Sequence, residues 1–109
     1  DDYPVITMMQ IEDLGFCDKG GAPDFVRNRD LTISGDFPHN TSGGQLSAGQ
    51  AGAAGGFIGL VEALRQVLGT AGGTQVADAT TAMVSGFGMI NYDRGVCTSA
   101  AIVKTGSPA

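Results

Sequence analysis

Two polar stretches hold the residue types that chemistry needs. The first is His39-Asn40-Thr41-Ser42-Gly43-Gly44, followed by a run of small residues as far as Gly56. Its amide, hydroxyl and imidazole groups flank a glycine pair, which lets backbone approach a ligand or another helix closely. A small-residue loop feeding a helix start offers free N–H groups and a positive dipole end, suited to an anionic ligand or a developing oxyanion. Close helix packing through the glycines is the competing reading. His39 is the sole histidine, and a lone histidine is usually structural or exposed. The second stretch, Met89-Ile90-Asn91-Tyr92-Asp93-Arg94-Gly95, is a polar turn between two apolar runs. The Tyr92 phenol can give or take a proton, or simply pin the turn. Asp93 and Arg94 pair with each other or face solvent, and such surface pairs are worth little. Cys17 and Cys97 lack metal-ligand spacing, so no metal is expected and both read as buried structural thiols.

The elements that must position these stretches follow from periodicity. Pro4 in a first turn and Gly15 as a stop predict a helix over residues 4–14, with Asp1 and Asp2 at its positive end. Gly20-Gly21 breaks the chain, and 22–28 suits a short helix. Leu31 to Pro38 reads as an extended connection with a turn at Ser34-Gly35-Asp36. Phe57, Leu60, Val61, Leu64 and Leu68 form the i, i+3, i+4, i+7, i+11 stripe of a long helix from about Ala51 to Leu68, with Gly69 at its C′ position. After a flexible Thr70–Thr74 connection, Thr80–Ser85 and Cys97–Val103 are strand-like runs joined as a hairpin whose tip is the polar turn. Two main helices and these strands give an α/β layer too thin to cover both faces of its sheet.

The totals narrow the function. A chain of 109 residues is one domain, 1–109, and 42% hydrophobic is enough for a core. A net charge of −5 argues against nucleic acid, whose phosphates need clustered Lys and Arg. No apolar run approaches membrane-spanning length, and no signal-peptide pattern opens the chain. A reduced, cytoplasmic protein is the default expectation.

Asn40-Thr41-Ser42-Gly43-Gly44, four residues, Gly49, then Gln50 and a Gly/Ala run resembles the Asn-x-x-Gly-Gly-x-x-x-x-Gly-His-Pro-x-Gly signature of the thiolase superfamily. Gln50 stands at the signature histidine and Ala51 at the proline. The C-terminal hairpin is similar to the family's Cys-x-Gly loop, with Met89 at the cysteine and Asn91 at the glycine. Asp1-Asp2-Tyr3 falls where thiolases have Asn-Glu-Ala-Phe, and in this register the family's oxyanion-hole asparagine precedes Asp1. Glu12-Asp13-Leu14-Gly15-Phe16-Cys17 looks like the lipid-transfer or sterol-carrier branch, which includes steroid side-chain aldolases. The resemblance covers nearly the whole chain as a C-terminal half.

It implies a mixed sheet packed with two main helices, the second half of a thiolase-like fold and a fragment of a longer chain. Thiolysis needs a nucleophilic cysteine from the N-terminal half, a histidine to activate it, and a second cysteine as acid/base. Gln50 donates a hydrogen bond but takes no proton at neutral pH, and Met89 does neither job. Retro-aldol chemistry needs none of those groups. The resemblance therefore implies a coenzyme A thioester substrate with no separate cofactor, and Gln50, Asn91 and Tyr92 as catalytic positions. Asn40, Ser42, Gly43, Gly44, Met89 and His39 line the substrate, and Gln50 meets the Met89–Tyr92 segment at a cleft. Implied partners are an acyl-CoA or sterol/lipid acyl-CoA, the N-terminal thiolase half, a second copy of the chain in a homo-oligomer, and a small OB-fold protein. The alternative is a non-catalytic acyl-CoA or lipid-binding relative.

Overall fold

The computed structural model describes residues 3–106. Helix α1 spans Pro4–Asp13 and α2 spans Ala22–Asn28, each with proline in its first turn, where the missing N–H costs nothing. Asp1 and Asp2, expected at the start of α1, lie outside the described residues. Gly15 takes φ +83° and turns the chain out of α1. Glu12 then reaches across, its Oε1 accepting the Ala22 backbone N–H at 3.1 Å. That bond caps α2 and, with the Gly20 N–H, holds the Glu12 carboxyl below its usual range.

The connection 29–39 is a knot of short-range bonds around Asp30 and Asp36. Asp30 Oδ1 accepts from the Thr32 backbone N–H at 3.0 Å and hydroxyl at 2.7 Å, while Asp36 accepts from Arg29 Nη1 and the Asp30 N–H, each at 2.8 Å. The turn falls at Thr32–Gly35, closed by the Gly35 N–H on the Thr32 carbonyl at 3.0 Å. Phe37 packs edge-on against Phe16 (4.9 Å) and Phe25 (5.0 Å), pinning the connection to the two N-terminal helices. This anchored connection delivers His39 and Asn40.

The glycine loop does not pass straight into the long helix. It first forms a single turn, α3 (Gly44–Ala48), which Gly49 ends at φ +100°, ψ 158°, a conformation open almost only to glycine. A 3₁₀ turn, Gly52–Ala54, follows, and α4 runs Phe57–Val67, later in its start than expected. Leu68 caps it and Gly69 takes φ +70°, the left-handed C′ residue expected there.

Strands β1 (Thr81–Asn91) and β2 (Arg94–Lys104) form one antiparallel ribbon, Thr81 opposite Lys104 and Asn91 opposite Arg94. Where a mixed sheet is expected, the only sheet among the described residues is this pair. Both strands run past the expected ends, because Gly86 and Gly88 stay in the ladder instead of breaking it. Gly95 has no side chain where the Phe87 ring lies, so the ring folds over it.

α4 packs on β1 through Gly59, where a Cβ would come within 2.8 Å of Val84 Cγ2. The face turned inward carries Glu62, Ala63, Gln66 and Val67, all buried. The apolar stripe of α4 points away from this packing: Phe57 is 63% exposed and Leu68 67%. A helix packed on one face and apolar on the other belongs between two layers. Met83 and Ile102 on the ribbon are also exposed. α1 meets β1 at its side, Ser85 Oγ donating to Gln10 Oε1 at 2.6 Å. No helix among the described residues is long and apolar enough to cross a membrane.

Candidate functional site

A cavity of about 530 Å³ lies between α1, α4 and the start of β1. His39, Asn40, Thr41 and Ser42 form one wall, with Glu62 and Gln66 of α4 behind them. Asn40 holds φ +55°, an unusual conformation for a residue with a side chain. Gly43 (φ +81°) and Gly44 (φ +65°) complete the reversal. A Cβ on Gly44 would stand 2.5 Å from Asn40 Nδ2, so the Asn40 carboxamide rests directly on that glycine's backbone. The Gly44 N–H donates to Ser42 Oγ at 3.3 Å. His39 is exposed as a whole residue, yet neighbouring protein strips water from its imidazole and lowers its pKa.

A polar cluster that the sequence reading passed over holds this wall in place. Thr41 Oγ1 donates to Glu62 Oε1 at 2.7 Å and accepts from Gln66 Nε2 at 3.0 Å. Arg65 Nη1 pairs with Glu62 Oε2 at 3.0 Å and Nη2 donates to the Ala71 carbonyl at 3.1 Å. The one available signal was spacing: Gly59, Glu62, Ala63 and Gln66 make a small-and-polar stripe at i, i+3, i+4, i+7, the mark of a second packed face.

The remaining expected residues sit elsewhere. Gln50 is exposed just after α3, its Cγ 3.8 Å from where a Cβ on Gly55 would be. Asn91 ends β1 and Arg94 opens β2, so Tyr92 and Asp93 are the two-residue loop between them. Both loop residues have positive φ, +49° and +60°, the twist that joins a tight hairpin and that Asn-Gly normally supplies. Tyr92 is 90% exposed, and Met89 (φ +50°) is 73% exposed. Neither Gln50, Gly43 and Gly44 nor the tip residues Met89, Asn91 and Tyr92 line the cavity. The structure thus brings His39, Asn40 and Ser42 together, and among the described residues no hydrogen bond joins the 40–50 loop to the hairpin tip. Cys17 is half-buried, its thiol pushed up by desolvation, with Glu12 and Asp18 adding to it. Cys97, expected to be buried, is exposed on β2 with its Sγ 3.7 Å from Met89 Sδ. A two-stranded ribbon leaves its outer face uncovered, so an apolar-flanked thiol there has nothing to bury it. No cluster of His, Cys, Asp and Glu able to hold a metal occurs among the described residues.

The architecture is a helix with one polar, packed face and one exposed apolar face on an antiparallel ribbon, with a positive-φ glycine loop at its foot. The chain belongs to the thiolase C-terminal domain-like family, which matches residues 1–99. It is 42% identical over 70 residues to a 17-hydroxy-3-oxo-4-pregnene-20-carboxyl-CoA lyase of Mycobacterium tuberculosis, covering 64% of this chain and 17% of that protein. It is 39% identical over 85 residues to a steroid side-chain-cleaving aldolase of Thermomonospora curvata (78% and 21%). An acetyl-CoA acetyltransferase of Methanothermobacter thermautotrophicus is 33% identical over 88 residues (81% and 23%). The chain spans about a fifth of the length of these relatives. No solved structure matches it.

Proposed function

We propose that this chain is the C-terminal domain of an enzyme that cleaves a C–C bond next to a coenzyme A thioester by a retro-aldol reaction. The observation that carries the reading is the pair of substitutions in a thiolase-like frame: Gln50 at the signature histidine and Met89 at the second cysteine. Similarity to two steroid-cleaving relatives points the same way. The substrate class is a β-hydroxy acyl-CoA. A base takes the hydroxyl proton, the oxygen lone pair becomes the ketone carbonyl, and the C–C bond electrons pass into the thioester as an enolate. Protonation of the enolate carbon then releases the shorter acyl-CoA. Gln50 donates its amide N–H to the thioester oxygen, where charge develops, and Tyr92 serves as proton donor or acceptor. Asn91 sets the tip, while Asn40, Ser42, Gly43, Gly44, His39 and Met89 line the substrate.

A second copy of the protein and a small OB-fold protein are the proposed further partners. The test is to supply the full-length parent with 17-hydroxy-3-oxo-4-pregnene-20-carboxyl-CoA and, separately, with acetoacetyl-CoA plus coenzyme A. Cleavage of the first without thiolysis of the second is expected. Thiolysis alone would return the parent to the thiolase reaction, and binding without turnover of either would make it a lipid-binding relative.

A further inference from the structure

We propose that Thr41 is a positioning residue, clamped by Glu62 and Gln66 so that Asn40 and the Ser42–Gly44 turn keep one substrate-facing conformation. Glu62 and Gln66 lie one turn apart on α4 and are only 7% and 6% exposed, beside Ala63 on the packed face. Burying a carboxylate and an amide is unfavourable unless their polar atoms find partners. Here they do: Glu62 Oε1 accepts from Thr41 Oγ1 (2.7 Å) and Gln66 Nε2 (3.0 Å), and Oε2 accepts from Arg65 (3.0 Å). Among the described residues no buried side-chain polar atom lacks a partner.

Thr41 is the one side chain of the glycine loop that enters this cluster, and it follows Asn40 directly. Asn40 sits at φ +55°, a left-handed conformation that asparagine adopts more readily than most side-chain-bearing residues but is not bound to keep. The two bonds on Thr41 fix the adjacent residue and so restrict departure from it. Gln66 carries the restraint further. One of its Nε2 hydrogens is shared between Thr41 Oγ1 and Glu62 Oε1, the other goes to the Thr74 carbonyl at 2.7 Å, and its Oε1 accepts from the Val76 N–H at 2.8 Å and Gln75 Nε2 at 3.1 Å. One amide side chain therefore ties the glycine loop to the segment that leads into β1. Fully satisfied networks of this kind fix a single arrangement, and losing one member leaves the others buried and unpaired.

The inference rests on the proposed reading only in taking this loop to face the substrate. In the full-length parent, Thr41→Val keeps the side-chain shape and removes both bonds, while Thr41→Ser restores the hydroxyl. Losing two half-buried hydrogen bonds corresponds to roughly tenfold to a hundredfold faster amide exchange in the loop. Hydrogen exchange of the peptide covering residues 40–49 should show that change in Thr41→Val and near wild-type protection in Thr41→Ser. With 17-hydroxy-3-oxo-4-pregnene-20-carboxyl-CoA as probe, kcat should fall at least tenfold in Thr41→Val with KM within about threefold, and Thr41→Ser should recover it. Unchanged exchange in Thr41→Val overturns the clamp. Faster exchange with unchanged kcat overturns its positioning role. A wild-type parent that does not cleave the probe overturns the retro-aldol reading alone, and exchange, which needs no substrate, still decides the clamp.

Discussion

Gly44 and Gly52 make a matched pair for asking whether the glycine loop is tight because of the chain's path or because of Asn40. Both have positive φ, +65° and +55°, so alanine at either position pays the left-handed cost of about 1–2 kcal/mol. They differ in surroundings. A Cβ at Gly52 meets nothing within 4 Å, whereas at Gly44 it comes within 2.5 Å of Asn40 Nδ2 and 3.0 Å of Oδ1. Those atoms are the end of a side chain with two torsions, so the carboxamide yields by swinging away. The added loss of stability is therefore small, below about 1 kcal/mol, since overpacking costs more only where neighbours cannot move. The functional loss is large, because the displaced group is the one on the cavity wall. An ångström of misplacement in such a group costs on the order of a hundredfold in rate. Urea unfolding and steady-state turnover of the two full-length variants separate these effects. Similar midpoints are expected, with kcat reduced tenfold to a hundredfold only in Gly44→Ala. Equal turnover in the two variants would refute the reasoning.

Replacing Tyr92-Asp93 by Asn-Gly should raise the unfolding midpoint, since Asn-Gly suits a turn with two positive φ values, while abolishing turnover; thermal unfolding and activity on one preparation check it. The isolated chain should self-associate through Phe57, Val61, Leu64 and Leu68, and Val61→Lys with Leu68→Lys should reduce that association in light scattering; a strict monomer before substitution counts against it. Asp36 is held below the usual carboxylate range, first by Arg29 and then by the Asp30 N–H. Its folded pKa lies below its unfolded one, so its contribution to stability is present above about pH 4 and is lost as pH falls through the folded pKa. Asp36→Asn should flatten that acid-side loss, seen as stability measured from pH 6 to pH 2.

Much of this architecture was legible because local chemistry decides it. Prolines at the starts of α1 and α2 and the positive-φ glycines after α1 and α4 have few other uses; α1 and α2 lie where they were expected, and α4 ends but does not start there. The orientation of α4 was not legible. Hydrophobic spacing reports that a stripe will be buried, not by which protein, and here Gly59 and Ala63 pack inward while the bulkier stripe faces outward. β1 runs on through Gly86 and Gly88, past the expected end at Ser85, with the Phe87 ring lying over Gly95. Of the expected site residues, His39, Asn40 and Ser42 share a cavity wall because they are neighbours in the chain, not because of the motif spacing. The Glu62–Gln66 cluster stayed hidden because a polar pair one turn apart on a helix usually marks its wet side.

Tyr92→Phe in the full-length parent bears most directly on the central claim that this domain supplies the proton-transfer group of a retro-aldol cleavage. It removes one hydroxyl from a side chain that is 90% exposed in this domain, so folding and affinity for the acyl-CoA should be nearly unchanged. With 17-hydroxy-3-oxo-4-pregnene-20-carboxyl-CoA as substrate, kcat is expected to fall by about a hundredfold or more, within the usual range for losing a positioned acid or base. An unaltered kcat would make Tyr92 a turn residue and contradict the account.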